Sequence, residues 1–280
     1  MFKIVEKKVL NPTVVSITVE APNAARRAKA GQFIILRTEE DGERVPFTIA
    51  NADPEKGTVT VIYQIVGATT RRLAEFEEGD ELADFVGPLG RPSEIEGENV
   101  VVIGGGVGCA IALPTAKAFH EAGKHVDTIA GFRNKDLVIL EDEFKEVSDH
   151  YYLMSDDGSA GEKGLVTSKL EELIQSGQKI DKVIAIGPLI MMKFVCELTK
   201  KYDIPTVVSM NPIMIDGTGM CGGCRLMVDG QMKFACVDGP DFDGHLVDFD
   251  AAMSRNRQYS DKERHDYDEA CNLLNKKEAE

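Results

Sequence analysis

Three cysteines fall close together in a chain that has only six. Cys221 and Cys224 form a C-x-x-C within DGTGMCGGCR (216–225), and Cys236 follows after eleven intervening residues in FACVDGP. Thiolates in such a group bind zinc or an iron-sulfur cluster. A plant-type [2Fe-2S] site takes four ligands, spaced C-x4-C-x2-C with the last further along. The residue five before Cys221 is Asp216, so Asp216, Cys221, Cys224 and Cys236 reproduce that spacing with a carboxylate in the first place. A structural zinc site commonly brings a second C-x-x-C or histidines, but here the nearest histidine downstream, His245, comes nine residues after Cys236. Glycines at 217, 219, 222 and 223 let backbone N–H groups approach cluster sulfurs without a Cβ in the way. The alternative to Asp216 as fourth ligand is a remote cysteine such as Cys271.

Two other kinds of segment could do chemistry. In NVVVIGGGVGCA, a buried-type strand runs into Gly104, Gly105, Gly106 and Gly108 and then into a helical pattern. Such a loop lets the backbone approach a pyrophosphate, whose charge a helix N-terminus favours. It is not the strict G-x-G-x-x-G, and a glycine turn without a ligand is the alternative. Earlier, RVPFTIA (44–50) sets an arginine beside a proline-fixed strand, and VGATTRRL (66–73) offers Gly67, Thr69 and Thr70 at the start of a short helix. The first could hold a phosphate and a planar heterocycle, the second another phosphate. Each alone is equally an ordinary strand or helix cap.

The elements that must position these residues change texture along the chain. Up to about residue 95, short β-type runs alternate apolar and polar residues between turns, with one helical stretch in TTRRLAEF. This predicts a small antiparallel β-barrel. From about 98 the order becomes strand, glycine loop, helix, strand, which predicts an α/β unit on a parallel sheet. Beyond about 210 the chain is turn-rich around the cysteines, and it ends in a highly charged tail. The expected divisions are 1–96, 97–209, 210–250 and 251–280. Acidic residues outnumber basic ones 47 to 32, for a formal charge of −15, which argues against a nucleic-acid partner. No apolar run is long enough for a membrane span and MFKIVEKKVL does not read as a signal peptide, so the expectation is a soluble, cytoplasmic protein.

Taken together, RVPFTIA, VGATTRRL, VGPLGRP, VIGGGVG, GFRNKDLV, SDDGSAGEKGLVT and IGPLIMMKFV resemble, in order and spacing, the ferredoxin-NADP reductase superfamily. The added cysteine segment resembles the electron-transfer subunit of dihydroorotate dehydrogenase B and, more closely, the small subunit of NADH-dependent reduced ferredoxin:NADP oxidoreductase. The resemblance covers roughly residues 1–250 and is most specific in the cysteine region.

This resemblance implies an FAD-binding antiparallel β-barrel, a NAD(P)-binding α/β parallel-sheet domain and a small C-terminal [2Fe-2S] region. It places Arg44, Pro46, Phe47 and Thr48 along FAD, with Thr48 near the flavin N5 edge, and Ile65, Gly67, Thr69 and Thr70 at FAD, the last three at its pyrophosphate. Gly105, Gly106, Gly108, Arg133, Asp157, Gly158, Gly187, Pro188 and Met191 would surround the nicotinamide nucleotide. NAD(H) is the expected substrate, with NADP(H) kept open by Arg133 and Lys135 in GFRNKD. Asp at 216 is the expected state in the ferredoxin:NADP oxidoreductase group, whereas the dihydroorotate group usually has Cys. The implied activity is electron transfer between NAD(H), FAD and a [2Fe-2S] cluster, to or from a larger iron-sulfur flavoprotein in a heterodimer, with ferredoxin reached indirectly, as in electron bifurcation. No catalytic side chain beyond the cofactors is implied. The alternatives are an electron-transfer subunit of dihydroorotate dehydrogenase and, without turnover, a metal-binding adaptor on a degenerate reductase scaffold. The charged tail, with Tyr259, Tyr267, Leu273 and Leu274, is either a docking element for the partner or a solvated helix.

Overall fold

The alternating residues of the first segment form strands with one buried face. In β2 (Val14–Glu20), Val15, Ile17 and Val19 are buried while Ser16 and Thr18 are only partly so, the period-two pattern of a half-buried strand. The computed structural model describes residues 1–277. Besides β2, its first sheet contains β1 (Phe2–Asn11), β3 (Phe33–Arg37), β4 (Val45–Asp53), β5 (Thr58–Gln64), β6 (Glu81–Leu82) and β7 (Asp84–Leu89). The strand order is β6-β1-β2-β5-β4-β3-β7, with antiparallel neighbours throughout. β6 and β7 are separated by one residue yet occupy opposite edges, so the sheet curls into a nearly closed barrel. Ile4, Ile17, Ile34, Leu36, Val59, Val61 and Tyr63 fill its interior. The barrel segment also carries the short helices α1 (Pro22–Ala25) and α2 (Ala68–Leu73).

The second sheet is built from β8 (Asn99–Gly105), β9 (His125–Phe132), β10 (His150–Ser155), β11 (Glu162–Lys163), β12 (Lys182–Ile186) and β13 (Thr206–Ser209), in the order β11-β10-β9-β8-β12-β13. All these neighbours are parallel. Helices α3 (Gly108–Glu121), α4 (Glu141–Val147), α5 (Val166–Gln175) and α6 (Leu189–Lys200) connect them. β8 and β9 are buried on both faces, so β8 reads as a nearly continuous apolar run, while β9 takes Asp127 and Thr128 into the interior as well. The order reverses direction between β8 and β12, which places a crevice beyond the carboxyl ends of those two strands.

The cysteine segment is more regular than its turn-rich sequence suggests. β14 (Arg225–Val228) and β15 (Gln231–Phe234) form a hairpin, followed by α7 (Ala235–Asp238). β16 (Asp241–Asp243) then joins the second sheet antiparallel to β13, and α8 (Phe249–Asn256) follows. Phe33 and Ile35 of the barrel share one apolar cluster with Val101, Ile103, Cys224 and Cys236, so the segment is wedged between barrel and parallel sheet. The charged tail is the helix α9 (Ser260–Lys277), which packs against α2 of the same chain. The side chains of Leu273, Leu274 and Cys271 lie outside the described residues. Among the described residues, no helix is long and apolar enough to cross a membrane.

Candidate functional site

The four donors singled out by spacing stand in two pairs. Cys221 Sγ lies 3.3 Å from Asp216 Oδ1, and Cys224 Sγ lies 3.2 Å from Cys236 Sγ. Among the described residues, no three of these four donor atoms lie within 4.8 Å of one another. A mononuclear tetrahedral site would draw all four around one ion. Two separated pairs instead match a two-iron rhomb, each iron taking two protein ligands.

Local backbone geometry explains how the loop holds this arrangement. Gly217, Gly219 and Gly222 have φ of +76°, +85° and +68°, a region that other residues rarely enter. A Cβ on Gly217 would stand 2.7 Å from Leu89 Cδ1 and 2.8 Å from Ile35 Cδ1, so this glycine lets the loop sit directly on the barrel wall. The N–H groups of Gly223 and Cys236 approach the sulfurs of Cys221 and Cys224, each at 3.4 Å. Asp216 is held by the N–H groups of Thr218, Met220 and Cys221 at 3.0–3.1 Å. Partial desolvation works against its charge, but these bonds, with those from the Thr218 hydroxyl and the Cys221 thiol, outweigh it and hold the carboxyl at about 2. Burial, reinforced by the neighbouring Cys224, pushes the Cys236 thiol up. Asp216 is thus already an anionic donor, whereas Cys236 would lose its proton on metal binding. Cys224 and Cys236 are buried and Cys221 is exposed, so one pair faces the interior and the other the surface.

The barrel residues adjoin this loop. Pro46, Phe47 and Thr48 lie on β4 opposite Ile35, Ile34 and Phe33 of β3, and all three are half-buried. Arg44, just before β4, donates from Nε to the carbonyl of Ile215 at 2.9 Å and from Nη1 to Asp84 Oδ2 at 3.2 Å. Neither Asp84 nor the Ile215 carbonyl carries a signal in the sequence. Asp84 reads as one more strand residue, and a backbone carbonyl has no sequence signature.

At α2 the structure separates Thr69 from Thr70. The Thr70 hydroxyl turns inward, accepting from the N–H groups of Val66 and Gly67 and donating to Gly67 O, each at 3.0 Å, so it caps the helix. The Thr69 hydroxyl stays outside and donates to Glu43 Oε2 at 2.6 Å. A Cβ at Gly67 would meet nothing within 4 Å, so internal packing does not require glycine there. Ile65 follows β5 directly, half-buried, with its N–H on Thr13 O at 2.8 Å.

Two distant glycine motifs meet in the crevice between β8 and β12. A Cβ on Gly105 would stand 2.5 Å from Met191 Sδ and 3.0 Å from Pro188 Cδ, and one on Gly187 would stand 3.1 Å from Gly105 Cα. Gly108 lies against the backbone of β12, where a Cβ would come within 2.5 Å of Ile186 O. Gly106 has φ +57° and open space around its missing Cβ. Arg133, Asp157 and Gly158 follow the carboxyl ends of β9 and β10. Asp157 N–H bonds Arg133 O at 3.3 Å, and hydrogen bonds from Ser159 hold the Asp157 carboxyl below the usual carboxylate range. α3, whose N-terminus opens at this crevice, packs beside β4, the strand that carries Pro46, Phe47 and Thr48.

Comparison with known proteins gives a consistent picture. Residues 211–248 match the iron-sulfur cluster binding domain of dihydroorotate dehydrogenase B. A Thermotoga maritima homologue of the dihydroorotate dehydrogenase B (NAD+) electron-transfer subunit is 47% identical over 267 residues, covering 95% of this chain and 94% of the relative. The electron-transfer subunit of dihydroorotate dehydrogenase B from Streptococcus pneumoniae is 32% identical, covering 86% of this chain and 94% of the relative. Among solved structures, one described for NADH-dependent reduced ferredoxin-NADP oxidoreductase and flavin-based electron bifurcation superposes with TM-score 0.91 at 46% identity, covering 96% of this chain and 97% of that one. A ferredoxin reductase of carbazole 1,9a-dioxygenase, at 18% identity and TM-score 0.60, shares the fold.

Proposed function

The chain belongs to the family of electron-transfer subunits of the dihydroorotate dehydrogenase B type, and from that premise we propose that it passes electrons between NAD(H), FAD and a [2Fe-2S] cluster as one subunit of a bifurcating ferredoxin-NADP oxidoreductase. The observation that carries this reading is the two-pair arrangement of Asp216 with Cys221 and Cys224 with Cys236, set against the barrel wall within a chain that superposes over 96% of its length on the bifurcating enzyme.

The residues fit the groups they would hold. The donor set of three thiols and one ionised carboxyl, in two pairs, suits two irons. The uncrowded glycines at 67 and 106 leave room for a phosphate-bearing ligand to approach the backbone. Arg44, Pro46, Phe47 and Thr48 would line FAD, with Ile65, Gly67, Thr69 and Thr70 nearby. Glu43, bonded to the Thr69 hydroxyl, opposes an anion there. Gly105, Gly106, Gly108, Gly187, Pro188 and Met191 would border the nicotinamide nucleotide, with Arg133, Asp157 and Gly158 at its rim.

Bound there, FAD and the cluster supply the conversion between hydride and single-electron chemistry. The chain itself positions and insulates. The apolar cluster around Cys224 and Cys236 excludes water from the inner pair, and Arg44 fixes the loop that carries Asp216. The surface pair is flanked by exposed apolar side chains, Ile215 at 51% and Met220 at 89% exposure. This suits the docking of a larger partner subunit that receives or supplies electrons at Cys221 and Asp216. Exposed Arg133 and Lys135 would meet the ribose end of the nucleotide and decide between NADH and NADPH.

Anaerobically purified chain tests the reading. It should carry flavin absorption together with the electron paramagnetic resonance signal of a reduced [2Fe-2S] cluster, and should reduce a dye with NADH faster than with NADPH. A colourless, zinc-loaded protein would overturn it. A second reading, the electron-transfer subunit of a dihydroorotate dehydrogenase, draws on the iron-sulfur domain match at 211–248. Co-purification of a partner that oxidises dihydroorotate would select it.

A further inference from the structure

A second cluster of metal-binding side chains lies at the opposite end of the parallel sheet from the nucleotide crevice. His125 and Asp127 are two residues apart on β9 and so share a face, and His150, the first residue of β10, is the register partner of Asp127. Their ligand atoms lie within 4.8 Å of one another, and among the described residues this is the group of three or more metal-binding side chains that meets that distance. We propose that His125, Asp127 and His150 form a binding site for a divalent transition ion of the zinc class.

The geometry around Asp127 supports this. Its carboxylate is buried, with a side-chain exposure of 1%, on a strand whose neighbouring residues are apolar or small. Oδ1 faces His150 Nδ1 at 2.8 Å and His125 Nε2 at 3.3 Å. Two ligands about 2.05 Å from one tetrahedral ion stand about 3.3 Å apart, so the three atoms need only small shifts to share a metal. The other oxygen, Oδ2, accepts from the side-chain amide of Gln178, beyond the end of α5, leaving Oδ1 to the imidazoles.

The outer partners are those of a metal-bound histidine. His125 Nδ1 lies 3.2 Å from Asp149 Oδ2, which is itself fixed by the N–H of Val126 at 2.8 Å. A carboxylate behind a ligating imidazole sets its tautomer and aims the other nitrogen at the ion. With carboxylates facing both its nitrogens, His125 can give its Nδ1–H to Asp149 and turn the lone pair of Nε2 to a cation shared with Asp127 Oδ1. Among the described residues no lysine or arginine pairs with Asp127, so the two imidazoles are its cationic or metal-holding partners. The rings of His125 and His150 are partly exposed, which gives the ion an entry path and a position for water. Two imidazoles and a carboxylate favour Zn2+, Ni2+ or Cu2+ over Mg2+ or Ca2+.

The test uses full-length protein with its flavin and cluster loaded, so that the cysteine site is occupied, after dialysis against a chelator. Zn2+ is titrated against a chromogenic competitor, and Co2+ is used as a spectroscopic probe. The expected result is one Zn2+ per chain, cobalt d–d bands without thiolate charge transfer, and a raised melting temperature. His150→Ala, which removes a largely exposed ring, should weaken Zn2+ binding by about 10-fold or more, and Asp149→Asn by at least about 10-fold while leaving all three ligands in place. Equal Zn2+ affinity in the wild type and in His150→Ala, or cobalt spectra dominated by thiolate, would overturn the proposal. Should His150→Ala lose flavin or cluster, Asp149→Asn alone decides, with unchanged affinity counting against the site.

Discussion

The guanidinium of Arg44 donates to the carbonyl of Ile215, the residue directly before Asp216, at 2.9 Å across 171 positions of sequence. One side chain of the barrel thereby fixes the start of the cysteine loop, while its other arm is held by Asp84. Replacing it with alanine should weaken both sites. A charge-assisted hydrogen bond contributes about 1.5–3 kcal/mol, so Arg44→Ala should loosen the start of the cysteine loop and, through the proposed place of Arg44 beside FAD, lower flavin affinity by about 10-fold or more. It should also release iron faster on exposure to chelator, whereas Arg44→Lys should recover only part, since lysine cannot span both acceptors as a planar fork. Flavin titration and iron release, followed side by side, check this. A variant that lost neither would remove Arg44 from the account.

Asp216 is the proposed fourth ligand, the position where the spacing departs from four cysteines. Asp216→Ala should purify with less than half the cluster of the wild type, as judged by iron and acid-labile sulfide. Asp216→Cys should keep the cluster but lower its reduction potential, because a thiolate donates more charge to iron than a carboxylate oxygen. A redox titration showing the same potential in both proteins would mean that Asp216 does not ligate.

Gly105 leaves no room for a side chain. Gly105→Ala would push its Cβ to 2.5 Å from Met191 Sδ, and Met191 would have to swing into the crevice. The KM for the nicotinamide nucleotide should rise about 10-fold, a loss of roughly 1.4 kcal/mol of binding, while flavin and cluster content stay at wild-type levels. By contrast, Gly108→Ala meets the fixed carbonyl of Ile186 and should lower stability by about 1–3 kcal/mol, read as a drop in melting temperature.

Asp181 ties the starts of β8 and β12 together, accepting from the Asn99 side chain at 2.8 Å and from the N–H groups of Asn99 and Glu98. The Asn99 side chain, its backbone N–H and that of Glu98 outweigh desolvation and hold the carboxyl at about 2, below its usual 3.8. A depressed folded value contributes stability above the unfolded value that is lost as pH falls through the folded one. The wild type should therefore melt above Asp181→Asn at pH 7, and the gap should close between about pH 4 and pH 2. A gap that persisted unchanged at pH 2 would exclude this group as its source.

The elements that were legible in the sequence are those whose residues repeat a simple period. Val15, Ile17 and Val19 announce a half-buried strand, and NVVVIGGGVG announces a buried strand before a glycine loop. The spacing of Asp216, Cys221, Cys224 and Cys236 likewise pointed to residues that the fold brings into two close pairs. What did not show is what depends on contacts distant in sequence. Asp241–Asp243 becomes a strand only because β13 offers an open edge, and no alternation marks it. The hairpin of β14 and β15 is masked by short strands and mixed polarity. Hydroxyls at a helix start suit both a cap and a phosphate ligand, so the capping bonds of Thr70 are visible only in the geometry. His125, Asp127 and His150 carry no recognisable spacing, since strand pairing rather than sequence brings the third to the other two.

β16 gives the cysteine segment a second role. The free side of β13 would otherwise present a row of unpaired backbone groups, a template on which another chain could add a strand. With Asp241–Asp243 laid along it those groups are paired within the chain, and the edge that remains is only three residues long, with Asp243 exposed on it. A version of this chain shortened at residue 210 would therefore not be a plain flavin reductase. It should be a more aggregation-prone one, with the backbone groups along β13 that β16 now pairs left bare.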